Sequence, residues 1–120
     1  MTQRLSRAEA PTHETWRLED LFPTAESWQS ELDATLADIA SVAVFRGRLA
    51  EGAVTLLGCL EATEQLMMRM LRVGTYAYLR FSEDGSSPIN QGMMGRVSSA
   101  QAQIGAAIAF LQPEILALPD

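Results

Sequence analysis

The sequence predicts an all-α protein, built as an antiparallel hairpin or bundle of long helices. Apolar residues recur at three- to four-residue spacing through most of the chain after Thr24, the repeat typical of amphipathic helices. Glycine, proline and acidic clusters interrupt that repeat at only a few points. The length of 120 residues is enough for one domain. We therefore expect helices at about 24–45, 49–81 and 88–111, behind an N-terminal arm.

Residues 1–23 are predicted to form an extended arm, and residues 24–120 a helical domain. Proline fixes its own backbone angle and donates no backbone hydrogen bond, so Pro11 and Pro23 disfavour a long helix in this segment. The two prolines bracket a small apolar cluster, which consists of Trp16, Leu18, Leu21 and Phe22. We expect these side chains to anchor the arm on another surface of the protein.

The first helix is predicted to begin after Thr24. Thr24 can serve as its N-cap, and Glu26 places a negative charge in the first turn, where the helix dipole favours one. Gly47 is the expected C-terminal signal. The apolar stripe predicted to face the core consists of Trp28, Leu32, Leu36, Ile39 and Ala43.

The second helix, from about Leu49 to Phe81, would be roughly 50 Å long if unbroken. Its apolar residues extend around more than half of the circumference, which predicts contacts on two sides and a central position. The cluster of Met67, Met68 and Met70 fits either a plastic binding surface or a helical core, and the core is favoured. The predicted apolar repeat consists of Leu56, Leu60, Met67, Leu71, Gly74 and Tyr78.

The third helix is predicted to follow a loop at 82–88, with Pro88 at its start. Arg96 is the only charged residue between Asp84 and Glu114. An uncharged face of this size should not be left in water, so we expect another part of a larger protein, or a second copy, to cover it. Interior glycines weaken a helix, and those of this segment predict close approach of a neighbouring backbone; they are Gly92, Gly95 and Gly105.

Beyond the third helix, Pro113 and Glu114 are typical of the first turn of a fourth helix. The chain ends at Asp120, before that helix could be completed. We therefore expect the sequence to be truncated.

Composition argues against several classes of function. A net charge of −6 disfavours binding to phosphate backbones or anionic lipid, so neither nucleic acid nor membrane is an expected partner. All basic side chains are arginines, which excludes catalysis by a lysine amine. Cys59 is the only cysteine, so no internal disulfide can form. With neither a signal-peptide pattern nor an apolar run of about 18 residues, the sequence predicts a cytoplasmic, soluble protein.

Several short segments, in their order and spacing, resemble the start of oligoendopeptidase F, a thimet-oligopeptidase-like zinc metallopeptidase. No single piece is specific, but together they extend over nearly the whole chain. They are residues 15–23 (TWRLEDLFP), Trp28, residues 45–49 (FRGRL), residues 76–78 (YAY), the acidic loop at Asp84 and residues 110–116 (FLQPEIL).

The resemblance implies a larger, mainly helical parent enzyme that cleaves short peptides inside a deep cleft. The family's catalytic centre is a His-Glu-x-x-His helix with a more distant glutamate, in which two imidazoles hold zinc and the first glutamate is the general base. That motif lies beyond this segment. We therefore expect no catalytic, cofactor-binding or metal-binding residue in these 120 residues, and zinc only in the parent.

Four local candidates for chemistry each have a simpler explanation. His13 and Glu14 begin like the zinc motif, but Arg17 stands where the second histidine is required and no other histidine exists. Glu61 and Glu64 share a helical face without the histidines of di-iron sites, which favours a solvated polar face. Cys59 is predicted to be a small buried hydrophobe without a base nearby. The Gly92–Gly95 pair lacks the strand and lysine of a phosphate loop and is interpreted as helix packing.

The preferred functional hypothesis is a non-catalytic helical domain that walls the substrate cleft of an oligoendopeptidase F-like enzyme. Its partners would be the remainder of the parent polypeptide and, in the parent, short peptides. The alternative is a stand-alone helical module without enzymatic activity that dimerises through the charge-poor helix at 89–111. A weaker third hypothesis, an enzyme complete in 120 residues, is disfavoured because no set of base, nucleophile and metal ligands is evident.

Overall fold

A computed structural model describes residues 17–119, in which all regular elements are helical. The all-α prediction is therefore confirmed for this part of the chain. Its α-helices are α1 (Ala25–Ala37), α2 (Ala40–Ala43), α3 (Ala53–Glu83), α4 (Pro88–Ile108) and α5 (Leu111–Leu116). Two 3-10 turns, Leu18–Asp20 and Leu49–Glu51, complete the set. The N-terminal residues of the predicted arm, Trp16 included, lie outside the described residues.

Helix α1 begins where the sequence predicts, because Thr24 caps it. The Thr24 hydroxyl accepts a hydrogen bond from the Ser27 backbone N–H at 3.0 Å, and the Ser27 hydroxyl accepts one from the Thr24 N–H at 3.1 Å. This reciprocal capping box satisfies two backbone donors that the first turn would otherwise leave free. Trp28 and Leu32 on its inner face are both buried, as predicted.

The predicted helix at 24–45 is interrupted after Ala37, which corrects the sequence-based boundary. The hydroxyl of Ser41 donates to the carbonyl of Asp38 at 2.6 Å and competes with regular helical hydrogen bonding there. The short helix α2 resumes with a shifted phase, so Val42 is buried and Ala43, the predicted core residue, is exposed. Gly47 adopts a φ of 79° after α2 has ended, in the left-handed region that favours glycine.

The second predicted helix also starts later than expected. Leu49–Glu51 forms a 3-10 turn, and Gly52 has a φ of 154°, which side chains rarely tolerate. This backbone conformation separates the turn from α3, which therefore begins at Ala53 instead of Leu49. Helix α3 then continues two residues past the predicted end, to Glu83.

A tight acidic turn reverses the chain between α3 and α4. The Asp84 carboxylate accepts hydrogen bonds from the Ser86 hydroxyl and backbone N–H, and these bonds lower the pKa of Asp84. The Asn90 side chain, on the first turn of α4, donates to the carbonyls of Arg80 and Asp84. Pro88 is the first residue of α4, as predicted, but the helix ends at Ile108 and not at Leu111.

Helix α3 lies at the centre and contacts α1, α2, α4 and both 3-10 turns. Its buried face consists of Cys59, Thr63, Leu66, Met70, Val73, Tyr76 and Ala77. Leu18 and Phe22 are also buried, and the Phe22 ring meets that of Tyr76 edge-on at 5.4 Å. Docking of the predicted arm is thus confirmed for these two residues, although Leu18–Asp20 is a helical turn where an extended chain was expected. The turn forms because the N–H groups of Leu21 and Phe22 both bond to the Leu18 carbonyl.

Helix α5 begins at Leu111, two residues before the predicted proline signal. Pro113 is accommodated in its first turn, where a missing backbone donor costs little. The Glu114 carboxylate accepts hydrogen bonds from the backbone N–H groups of Gly47 and Leu49, at 3.0 and 3.1 Å. Helix α5 is thereby joined to the turn between α2 and α3.

Candidate functional site: an open apolar groove

Helix α3 presents two apolar stripes, and only one of them is buried. Residues of the stripe predicted from the sequence are largely exposed, with Leu60 at 43%, Met67 at 53%, Leu71 at 70% and Tyr78 at 60%. The core instead uses the neighbouring stripe that contains Leu66, Met70 and Val73. The helix thus has apolar residues on two sides, as the prediction of two-sided contacts requires. Within residues 17–119, however, other helices cover only one of these sides.

The exposed stripe of α3 forms one wall of a groove, and α4 forms the other. The groove has a volume of about 960 Å³ and is open to solvent. We call it the α3–α4 groove. Its principal apolar lining residues are Leu60, Met67, Met68, Leu71, Tyr78, Met94, Ile104 and Ile108.

The interior glycines of α4 were predicted to mark close packing of a neighbouring backbone, and within residues 17–119 this is wrong. A β-carbon added at Gly95 or Gly105 would meet no atom within 4 Å, and one at Gly92 would meet only the Arg96 side chain. Gly105 lies on the groove wall, whereas Gly95 does not. Among the described residues, no neighbouring element therefore packs against α4 at Gly95 or Gly105.

The core position predicted for the methionine cluster is correct for one of its three members. Met70 is buried at 7% exposure, while Met67 and Met68 are 53% and 59% exposed. The alternative interpretation as a flexible binding surface fits these last two residues, because a thioether on an unbranched side chain adapts to differently shaped partners. The methionines differ in burial because of their positions on the helix: Met70 follows Leu66 by one turn and lies on the same buried face.

Ionic groups occupy the opposite side of α3. Arg69 pairs with Glu31 of α1 at 2.8 Å and with Asp38 at 3.4 Å. The hydrogen bond to Glu31 raises the pKa of Arg69 further above its ordinary value. Among residues 17–119, Glu64 is the only charged side chain that lines the groove. The groove therefore suits an apolar ligand surface that brings at most one positive charge.

The residues considered for chemistry are not brought together by the fold. Cys59 is fully buried, as predicted, and burial raises the pKa of its thiol. Glu61 and Glu64 are exposed, as expected of a polar face. Nowhere in residues 17–119 do three or more His, Cys, Asp or Glu side chains gather in a way that could hold a metal ion. His13 lies outside the described residues.

The sequence-based search missed the groove, although its signal was present. The signal is the surplus of apolar residues around α3, together with the uncharged face of α4 that was expected to need a cover.

Within residues 17–119, no helix has both the length and the apolar content needed to cross a membrane. Among the described residues, fold and groove thus define a helical unit with an exposed apolar groove.

Comparison with known proteins gives the more particular description. The chain is 34% identical over 114 residues to Oligopeptidase PepF of Bacillus subtilis (strain 168), a match that covers 95% of this chain and 17% of the relative. It is 25% identical to the chromosomal Oligoendopeptidase F of Lactococcus lactis subsp. cremoris, over 92% of this chain and 19% of the relative. Group B oligopeptidase PepB of Streptococcus agalactiae serotype III (strain NEM316) is 26% identical over 88% of this chain and 18% of its own length.

No protein-family model and no solved structure matches the chain. The chain spans less than a fifth of the length of the curated relatives that it matches. These matches nevertheless confirm the resemblance to oligoendopeptidase F over 88–95% of this chain.

Proposed function

We propose that this chain is the N-terminal helical domain of an oligoendopeptidase F-like zinc metallopeptidase that hydrolyses short peptides. In this proposal the domain is non-catalytic and walls one side of the substrate cleft in a cytoplasmic enzyme. The observation that supports it best is the match to oligopeptidases over 95% of this chain and only 17% of the relative. The exposed α3–α4 groove adds support, because a domain of a larger protein needs a surface for the rest.

The zinc of the proposed parent does not fit the residues described here. Residues 17–119 contain no histidine and assemble no cluster of three potential ligands. A catalytic zinc site requires three protein ligands and a free position for water. The metal would therefore be held by other parts of the parent, and no catalytic step is assigned to this domain.

The proposal is tested by expressing the complete reading frame that contains this sequence and assaying it with short peptides. We expect hydrolysis that a chelator abolishes and added zinc restores, and no hydrolysis by the 120-residue chain. Cleavage by the 120-residue chain itself would overturn the non-catalytic assignment. A reading frame that ends at Asp120 would overturn the proposal as a whole.

The second candidate function is a stand-alone dimerisation module. The observation that favours it is again the groove, which a second copy could partly cover through the charge-poor α4. Sedimentation of the 120-residue chain separates the two candidates. A tight dimer, combined with a reading frame that stops at Asp120, would support the module.

A further inference from the structure

The α3–α4 groove is about as long as a helix of five turns. Its α3 wall runs from Leu60 to Tyr78, which corresponds to about 27 Å at the helical rise of about 1.5 Å per residue. Its α4 wall runs antiparallel to the first, since Gly74 of α3 faces Val97 while Arg80 meets Asn90. An apolar groove of this kind commonly binds the apolar face of an amphipathic helix.

The lining also indicates the charge of the missing element. Apart from Glu64, the polar groups that the described residues place along the groove are neutral, and they belong to Thr63, Thr75, Tyr78, Ser98 and Gln101. Arg69 is already held by Glu31 and Asp38 on the α1 side, and it does not line the groove. A matching helix would therefore have an apolar stripe and one basic side chain at the level of Glu64. Acidic residues in the stripe would leave a carboxylate without a partner.

We infer that the α3–α4 groove receives an amphipathic helix of the same polypeptide, from the part of the parent that this chain does not contain. This inference rests on the proposed function. The match to Oligopeptidase PepF leaves 83% of that relative, the complement of 17%, outside the aligned region, which is ample chain to supply one helix. Covering the groove would remove Met67, Leu71 and Tyr78 from water, each of which is more than half exposed.

A second copy fits the groove less well than a helix does. In a two-fold dimer the same surface faces itself, so two concave grooves would meet and leave the volume between them unfilled. Such a pairing would also offer no positive charge to Glu64, because the lining that residues 17–119 provide contains none. A convex helix from elsewhere in the polypeptide meets both requirements.

The test is site-specific photo-crosslinking in the complete polypeptide. A photoreactive benzoylphenylalanine is placed at Leu71 in the groove, which is 70% exposed. The matched control is Ile89, which is 67% exposed on the first turn of α4 and does not line the groove. We expect the probe at Leu71, but not the one at Ile89, to form intramolecular crosslinks to a helix beyond residue 120. The captured residues should be spaced by three or four.

Mixed isotopically light and heavy protein identifies the source of each crosslink. Crosslinks between light and heavy copies would assign the groove to a second copy and overturn the inference, as would an unreacted probe at Leu71. A complementary variant is Leu71→Glu, which should lower the thermal midpoint of the complete polypeptide, whereas Ile89→Glu should not. Equal effects of the two variants would also count against a groove-bound helix.

Peptide hydrolysis measured on the same protein keeps the two hypotheses separate. Zinc-dependent hydrolysis without a groove crosslink would retain the proposed function and remove the inference. A specific intramolecular crosslink in a protein that cleaves no peptide would retain the docked helix and remove the peptidase. A reading frame that ends at Asp120 would remove both.

Discussion

The indole Nε1–H of Trp28 donates a hydrogen bond of 2.9 Å to the backbone carbonyl of Val73, and both residues are buried. This contact joins α1 to the middle of the central helix. The Trp28 ring also stacks on Tyr76 at 6.4 Å between ring centroids, and the Arg96 guanidinium of α4 lies over the Trp28 ring, 5.3 Å from its centroid. Trp28 is therefore the point at which α1, α3 and α4 meet.

Replacing Trp28 with phenylalanine should lower the free energy of unfolding by about 1 to 3 kcal/mol, because a buried hydrogen bond and part of a large ring are lost. Urea titration followed by circular dichroism measures the change. The matched control is Val54→Ala, at a side chain that is 87% exposed, which should alter stability by less than about 0.5 kcal/mol. Equal effects of the two substitutions would show that α1 is not anchored through this ring.

Glu114→Gln should loosen the turn between α2 and α3. The amide is neutral and retains one acceptor oxygen, so either Gly47 or Leu49 loses its acceptor and the other keeps an uncharged one, at a cost of about 0.5 to 2 kcal/mol. Hydrogen exchange should be faster at the amides of Gly47 and Leu49. Glu61→Gln, at an exposed position on α3, is the control and should leave both amides unchanged. Unaltered exchange at these amides in the Glu114 variant would contradict the two hydrogen bonds that join Glu114 to Gly47 and Leu49.

Arg69→Met should destabilise the α1–α3 contact by about 0.5 to 1 kcal/mol, since the pair with Glu31 is about one-third exposed. Salt screens such charges, so the difference from the unsubstituted chain should shrink as sodium chloride is raised to about 1 M. Urea titrations at low and high salt measure it. Arg46→Met is the control, because Arg46 has no ion-pair partner within residues 17–119. A salt-independent loss would assign the role of Arg69 to packing of its alkyl stem.

Gly95→Ala and Gly105→Ala should each stabilise the 120-residue chain by about 0.5 to 1 kcal/mol, because alanine favours a helix and neither added methyl group meets a neighbour. In the complete polypeptide the two should differ. Gly105 lines the α3–α4 groove, so its methyl group would meet a docked helix and the gain would be lost, while Gly95→Ala keeps its gain. Thermal midpoints of both variants in both chain lengths are the measurement, and identical behaviour would argue against a helix at Gly105.

Cys59 should react slowly with iodoacetamide in the folded chain. Burial raises the pKa of its thiol, so less thiolate is present at pH 8.5 than for an exposed cysteine. By linkage, the protonated Cys59 thiol contributes fully to the free energy of unfolding below the pKa of the unfolded thiol, and this contribution is lost as pH rises through the pKa of the thiol in the folded chain. The free energy of unfolding should therefore decline above about pH 8.5 in the unsubstituted chain and decline less in Cys59→Ala. Mass spectrometry with and without urea measures alkylation, and rapid labelling of the folded chain would contradict the burial.

Local sequence signals were sufficient for the features that depend on a few neighbouring residues. Thr24 begins α1 because its hydroxyl meets the Ser27 N–H, and Pro88 begins α4 because the first helical turn does not need its missing donor. The break after Ala37 was not predicted, because Ser41 competes for the Asp38 carbonyl through a side-chain bond that periodicity does not report. Nor did periodicity reveal the φ of Gly52 that delays α3.

The sequence by itself determined the helical class, the first residues of α1 and α4 and the resemblance to oligoendopeptidase F, because these depend on spacing, capping residues and residue order. Only the tertiary structure decided which side of α3 is buried. Apolar residues surround most of that helix, so its repeat allows either stripe to be buried. The stripe that contains Leu66 and Val73 is buried because α1 and α4 pack against it. Met67 and Leu71 remain exposed for the same reason, and the groove that they line exists only once α4 has folded back beside them.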